Sequence, residues 1–224
     1  MAEEHVYDAC LELHSDGVCL AQLCDMPACF ARGADETEAL RILESRIPAY
    51  FAWLSHHDEY TPVMRGPFRV VSAESVTLTD LAIGAFFQSD AQPLTAEDLD
   101  WYAALLDWSY ADLLNALDAF PREAWETPLP DGSSPLDLAM RATNGQFWLC
   151  SRLKPELVVQ VALSVGVPPR RHVQDIHAST LKQVRAATDA EGQQVRETDG
   201  ERWSLRKVLR RSILLVREVT PVVS

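Results

Sequence analysis

The 224-residue chain is short of aromatic residues (8%), of glycine (9 residues) and of positive charge, with 20 Lys plus Arg against 33 Asp plus Glu and a net charge of −13. The charge deficit excludes a nucleic-acid binder that works through its overall field, because such proteins draw most of their affinity from neutralising phosphates. An anionic membrane surface is excluded for the same reason. No apolar run approaches the roughly 20 residues needed to span a bilayer. The start, Met1-Ala2-Glu3-Glu4, is acidic where a secretory signal would be basic and then apolar. The chain also lacks a P-loop and the G-x-S-x-G, G-x-G-x-x-G and H-E-x-x-H patterns that carry the common enzyme chemistries. These absences predict a cytoplasmic protein with no membrane or nucleic-acid partner, no cofactor and no catalytic set.

Five cysteines are present, Cys10, Cys19, Cys24, Cys29 and Cys150, with no C-x-x-C pair. The spacings of the first four match no zinc ribbon or knuckle. Cys10 and Cys19 fall inside alternating, strand-like stretches, where a thiol serves as a small buried hydrophobe. They are read as structural thiols.

In Val6 to Leu13, Tyr7, Ala9, Leu11 and Leu13 alternate with Val6, Asp8, Cys10 and Glu12, the period of a strand with one buried face. Ser15-Asp16-Gly17 supplies a turn, and Val18 to Asp25 a second strand. Asp35 followed by Glu38 is an Asp variant of the capping box. Leu40, Leu43, Ile47, Tyr50, Phe51 and Leu54 then mark one helical stripe, which fits a helix lying across the sheet. Residues 58 to 96 are punctuated by Pro62, Gly66, Pro67, Gly84 and Pro93, with Phe68 to Val76 as a further strand.

This front part resembles the HicB-like antitoxin fold. The resemblance rests on Gly17, Asp25, Pro27, Cys29, Gly33, the Asp35-Glu36-Thr37-Glu38 start, Ala39-Leu40 and Tyr50. It implies a small antiparallel sheet plus helix that neutralises a toxin partner, without nuclease residues. The chain departs from the family at Ala28, where Gly is usual; an Ala there requires a backbone outside the left-handed region.

The back half is helical. Thr95 and Asp98 form a capping-box start, and Tyr102, Leu105, Leu106, Ser109, Leu113, Ala116, Leu117 and Phe120 keep helical spacing up to Pro121. Further helices are predicted from Ser134-Pro135 to Leu153, from Arg170 to Asp189 and from Ser204 to Val219, which makes a four-helix bundle the economical arrangement. Asp100, Asp107 and Asp118 are expected as solvated carboxylates. His172 and His177, five apart and so roughly 140° from one another around a helix, are read as solvated or capping side chains.

The runs Phe147-Trp148-Leu149-Cys150-Ser151-Arg152-Leu153 and Trp203-Ser204-Leu205-Arg206-Lys207 are similar to the second and last helices of DinB-like four-helix bundles. Fusions of a HicB-like front to a DinB-like back form a group of bacterial proteins that this chain resembles throughout. DinB-like proteins typically hold a divalent metal with three histidines. The resemblance carries those positions onto Arg141, Leu215 and Val219, none of which can coordinate a cation. It therefore implies a degenerate, metal-free site, with Arg141, Leu215 and Val219 lining a pocket.

Charge is uneven along the chain: residues 90 to 140 carry 11 acidic side chains and 1 basic, residues 141 to 211 carry 13 basic and 7 acidic. The basic excess, concentrated at Arg202, Arg206, Lys207, Arg210 and Arg211, either pairs with the acidic helix or a second subunit or meets an external anion. The sequence thus predicts an α+β domain over 1–78, a linker over 79–96 and an all-α four-helix bundle over 97–224. The expected function is non-catalytic binding, as a homodimer, of a protein or small-molecule ligand. The alternatives are a thiol S-transferase or hydrolase of the metal-dependent DinB-like kind with a displaced site near Arg141 and Cys150, and an antitoxin-like regulator.

Overall fold

A computed structural model describes residues 6–57, 59, 68–76, 84–153, 169–187 and 194–223. Glu3, Glu4, His5, Asp58, Pro62, Gly66, Pro67 and Asp189 lie outside them. The chain is α+β and divides into two compact units, Met1–Ser89 and Asp90–Ser224; the division falls inside the 79–96 stretch.

In the first unit β1 (Tyr7–His14) and β2 (Cys19–Leu23) form an antiparallel hairpin, with Ala9 opposite Leu23 and Leu13 opposite Cys19. Gly17 takes the left-handed conformation the turn needs (φ +92°), and its N–H donates to His14 O at 2.9 Å. β3 (Phe30–Gly33) pairs antiparallel with β2, and α1 (Glu36–His56) follows. Asp35 caps α1 by accepting from Glu38 N at 2.8 Å, while the Glu38 carboxylate accepts from Ala34 N at 2.7 Å. The buried stripe of α1 is Ala39, Leu43, Ile47, Tyr50, Phe51 and Leu54, with Ala39 in the place predicted for Leu40. Ala28 is buried and does not have a positive φ, so the departure from Gly is sterically accommodated.

Three expectations are corrected in this unit. The sheet is mixed, in the order β3-β2-β1-β4, because β4 (Phe68–Val76) runs parallel to β1. A chain that leaves β3 through a helix returns with its direction reversed relative to a hairpin, so the last strand lies parallel to the first. Second, β1 is buried on both faces. Glu12 and His14 are buried along with Tyr7, Ala9 and Leu11, and His14 Nε2 stands 3.8 Å from Glu12 Oε2. Third, Cys10 and Cys24 are joined by a disulfide. Leu23 opposes Ala9, so Cys24 comes opposite Asp8 and lies on the same sheet face as Cys10, Cα to Cα 5.9 Å. The bridge packs against Val76, Ala85 and Phe87. Cys19 and Cys29 are buried thiols, and burial, helped by Glu36, pushes the Cys19 thiol up to about 11.

The second unit holds α2 (Ala96–Asp118), α3 (Pro135–Ser151), α4 (Pro169–Arg185), the strands β5 (Val195–Thr198) and β6 (Glu201–Ser204), and α5 (Leu205–Val223). Thr95 with Asp98, and Ser134 with Asp137, close reciprocal capping boxes at α2 and α3. Helices α2 and α3 each pack against both α4 and α5. Gly145 lets α3 approach α5 closely, since a Cβ at that position would clash with the Leu215 side chain. Asp199 (φ +56°) and Gly200 (φ +78°) make the two-residue turn of the β5–β6 hairpin, both in the left-handed region that a type I′ turn requires. The hairpin caps the end of α3: Arg152 donates to Asp199 at 2.6 Å, and Arg196 donates to the Leu153 carbonyl at 2.5 Å.

The basic residues of α5 divide by position. Arg206 pairs with Asp98 at 3.0 Å. Arg210 makes a bidentate pair with Asp90, Nε to Oδ1 3.0 Å and Nη2 to Oδ2 2.7 Å, with side chains 3% and 1% exposed. Lys207 is buried over the Trp203 ring, Nζ 4.0 Å from the centroid, and burial followed by the neighbouring Arg210 charge pushes its ammonium down to about 8. No helix among the described residues is long and apolar enough to cross a membrane.

Candidate functional site

The three positions carried over from metal-binding bundles lie in different surroundings. Leu215 and Val219 are one turn apart on α5 and both are buried, Leu215 in a cluster with Leu149, Trp203 and Val208. Arg141 is exposed on α3, where its charge reaches Asp131. Two aliphatic side chains in packed core and a guanidinium in solvent do not fit a divalent metal. Among the described residues, no three His, Cys, Asp or Glu side chains are grouped to hold one.

A cavity of the second unit lies among other residues. It encloses about 620 Å³ of empty space, open mouth included, and none of Arg141, Leu215 or Val219 lines it. Its walls come from α3 (Gln146, Cys150), α4 (Thr180, Val184) and α5 (Val208, Leu209), with the exposed Arg196 of the hairpin at the rim. Val184, Val208 and Leu209 make the walls apolar; Gln146, Cys150 and Thr180 supply the polar groups.

Gln146 links Cys150 to Ser212 on α5, while Thr180 bonds within its own helix. Gln146 is completely buried, and its Nε2 donates to Ser212 Oγ at 3.0 Å and to Cys150 Sγ at 3.4 Å. Ser212 Oγ donates onward to Val208 O at 2.7 Å, and Thr180 Oγ1 to Ile176 O at 3.0 Å. Gln146 Oε1 is buried with no hydrogen-bond partner among the described residues. Burial raises the Cys150 thiol above its ordinary value, although Gln146 and Thr180 act in the other direction. The group therefore stays a thiol near neutral pH, which makes it a poor nucleophile.

His177 is nearby and differs from the solvated or capping residue that spacing predicted. It is buried, its ring stacks on Tyr110 with centroids 4.4 Å apart, and its Nε2 lies 2.7 Å from Asp107 Oδ1. Asp107 and Asp118, expected as plain solvated carboxylates, bond His177 and Arg170 respectively. Burial lowers the His177 pKa despite the Asp107 charge. A histidine whose folded pKa is depressed binds fewer protons folded than unfolded, so its stabilising effect is complete above the unfolded value of about 6.5 and is lost as pH falls below it. The urea midpoint of the wild type is expected to drop between pH 7 and pH 5, and His177→Gln to drop less over the same interval.

Comparison with family models, curated proteins and solved structures finds no match. The site therefore stands on its own residues. Cys150 was singled out from the sequence; Gln146, Thr180 and Ser212 were not. Their signal is a polar residue on an apolar helical stripe, as where Gln146 follows Leu138, Ala139, Ala142 and Thr143 on the buried face of α3.

Proposed function

We propose that this protein is a non-catalytic binding protein whose second unit is a metal-free, DinB-like four-helix bundle that holds a small molecule in the Gln146–Cys150–Thr180 pocket. The HicB-like front unit is then a second interaction module. The observation that carries this reading is a mostly apolar cavity between α3, α4 and α5, bordered by Val184, Val208 and Leu209 with Cys150 and Thr180 in its wall. The thiol-transferase alternative is weaker: Cys150 is the pocket's nucleophile, and its burial favours the unreactive thiol.

Fluorescence titration with N-phenyl-1-naphthylamine, an apolar dye, tests the reading. Saturable binding of one dye per chain that EDTA does not change is expected, and Ala187→Trp, which places a large ring at the half-buried pocket edge, should abolish it. Absence of saturable binding, or binding unaffected by Ala187→Trp, would count against the pocket.

A further inference from the structure

β4 is the end strand of its sheet, and α1 packs mainly on β2 and β3. From Arg69 to Ser75 every residue is exposed except the half-buried Ser72. Val70 and Val71 are among the large hydrophobic side chains that the described residues expose, together with Val6 at the head of the neighbouring β1. An end strand of this kind offers unpaired N–H and C=O groups to a strand laid beside it.

The register of β4 decides which strand fits. Ala9 pairs with Val70 and Cys10 with Ser72, so Val71 is an extra residue in β4. Residues five apart on a regular strand point to opposite faces, and the extra residue brings Arg69 and Glu74 to the same one. On that face Arg69 forks onto Asp8, Nε to Oδ1 2.7 Å and Nη2 to Oδ2 2.8 Å. Glu74 shares it with Ser72, whose hydroxyl donates to Glu74 Oε1 at 3.2 Å, and with Val76, which clusters with Cys10. The Asp8 bonds leave Arg69 its Nη1 hydrogens to give, and the Ser72 bond leaves Glu74 its Oε2 to accept.

We propose that β4 is a self-association strand, through which two copies of this chain join antiparallel about a two-fold axis into one continuous sheet. In the register centred between Val71 and Ser72, Arg69 of each copy lies opposite Glu74 of the other, Val70 opposite Ala73 and Phe68 opposite Ser75. The symmetry makes the ion pair twice. A β4 without its extra residue would place the two charges on opposite faces and lose both pairs. Charge also favours this edge: the chain carries −13, so two copies repel, but β4 holds one base and one acid and is neutral. A seam of one strand from each copy is small for a specific interface, so the association is weak and reversible, with a Kd on the order of 10–100 µM. The seam makes no use of the cavity in the second unit.

Sedimentation equilibrium of the full chain at about 0.15 M salt, which screens the long-range repulsion, tests the proposal. A monomer–dimer equilibrium is expected. Glu74→Arg sets cation against cation at both ends of the seam and should weaken the dimer about tenfold or more. The register is read by crosslinking in a Cys150→Ser background: Val70→Cys mixed with Ala73→Cys should form disulfide-linked heterodimers in oxidised glutathione severalfold faster than either variant alone. Should Glu74→Arg fail to fold by thermal unfolding, the crosslinking decides. A chain that stays at 25.0 kDa up to about 300 µM overturns the proposal. So does a dimer that a folded Glu74→Arg leaves unchanged, which would use another surface, or like variants that crosslink as fast as unlike ones.

Discussion

Replacing Asp90 by alanine is expected to lower the unfolding free energy by about 3 to 5 kcal/mol, measured by urea denaturation at pH 7. The size of the effect follows from what is left behind. Asp90 and Arg210 are 1% and 3% exposed and joined by two parallel hydrogen bonds, so truncating the carboxylate strands a guanidinium where water cannot reach it. The pair itself need not be strongly stabilising. Two charges taken out of water repay much of their attraction as lost hydration, and a double replacement, Asp90→Leu with Arg210→Met, is expected to recover most of the loss. A loss below about 1 kcal/mol in Asp90→Ala would mean that the pair is solvated, since exposed ion pairs are worth no more than that.

Gly33→Ala should have a similar effect, at least about 3 kcal/mol, for a steric reason. Gly33 ends β3, and a Cβ on it would stand 2.8 Å from Ala39 Cα and from the Glu38 carbonyl carbon, both backbone atoms in the first turn of α1. That turn is held by the Asp35 cap and by the bond from Ala34 N to Glu38, so the backbone cannot shift to make room without giving up the cap. Gly132→Ala is the contrast: a Cβ there meets nothing within 4 Å, and only its φ of +84° opposes the change, at a cost of about 1 kcal/mol. Equal effects at the two glycines would remove the steric argument.

The second glycine contact, Gly145 against Leu215, shows how much of the fold could be read before the structure and where the reading stopped. Period, caps and terminators located the five α-helices of the described residues to within a few residues, because the Thr95–Asp98 and Ser134–Asp137 boxes and the leucine stripes are local signals. The close approach of α3 to α5 is a property of two distant segments, and a lone glycine in a helix carries no sign of what faces it. The Cys10–Cys24 bridge escaped for the same reason. Fourteen residues of separation become a pairing distance only once the β1–β2 register is fixed. The parallel placement of β4 likewise depends on where the crossover returns the chain. The β5–β6 hairpin corrects the expectation of an all-α back half over 97–224: Asp199-Gly200 is a favoured hairpin dipeptide, but the flanking four-residue strands are too short to show a period of their own.

The candidate site was legible in part. The sequence excluded histidine ligands at Arg141, Leu215 and Val219, and these positions proved to be two core aliphatics and an exposed arginine. It drew attention to Cys150 but not to Gln146, whose bond to Ser212 spans 66 residues of sequence. His177 could not be placed either. Its burial depends on Tyr110 and Asp107, which α2 brings to α4.

The most direct test of the binding reading is the alkylation rate of Cys150 by N-ethylmaleimide at pH 8, followed by peptide mass with and without saturating N-phenyl-1-naphthylamine. Cys150 lines the pocket beside Gln146, so its reaction reports occupancy at that place in the fold. Slowing by tenfold or more, lost in Ala187→Trp, is the predicted result. An alkylation rate that is the same with and without the dye, while its fluorescence still reports saturable binding, would contradict the assignment of the ligand to this pocket.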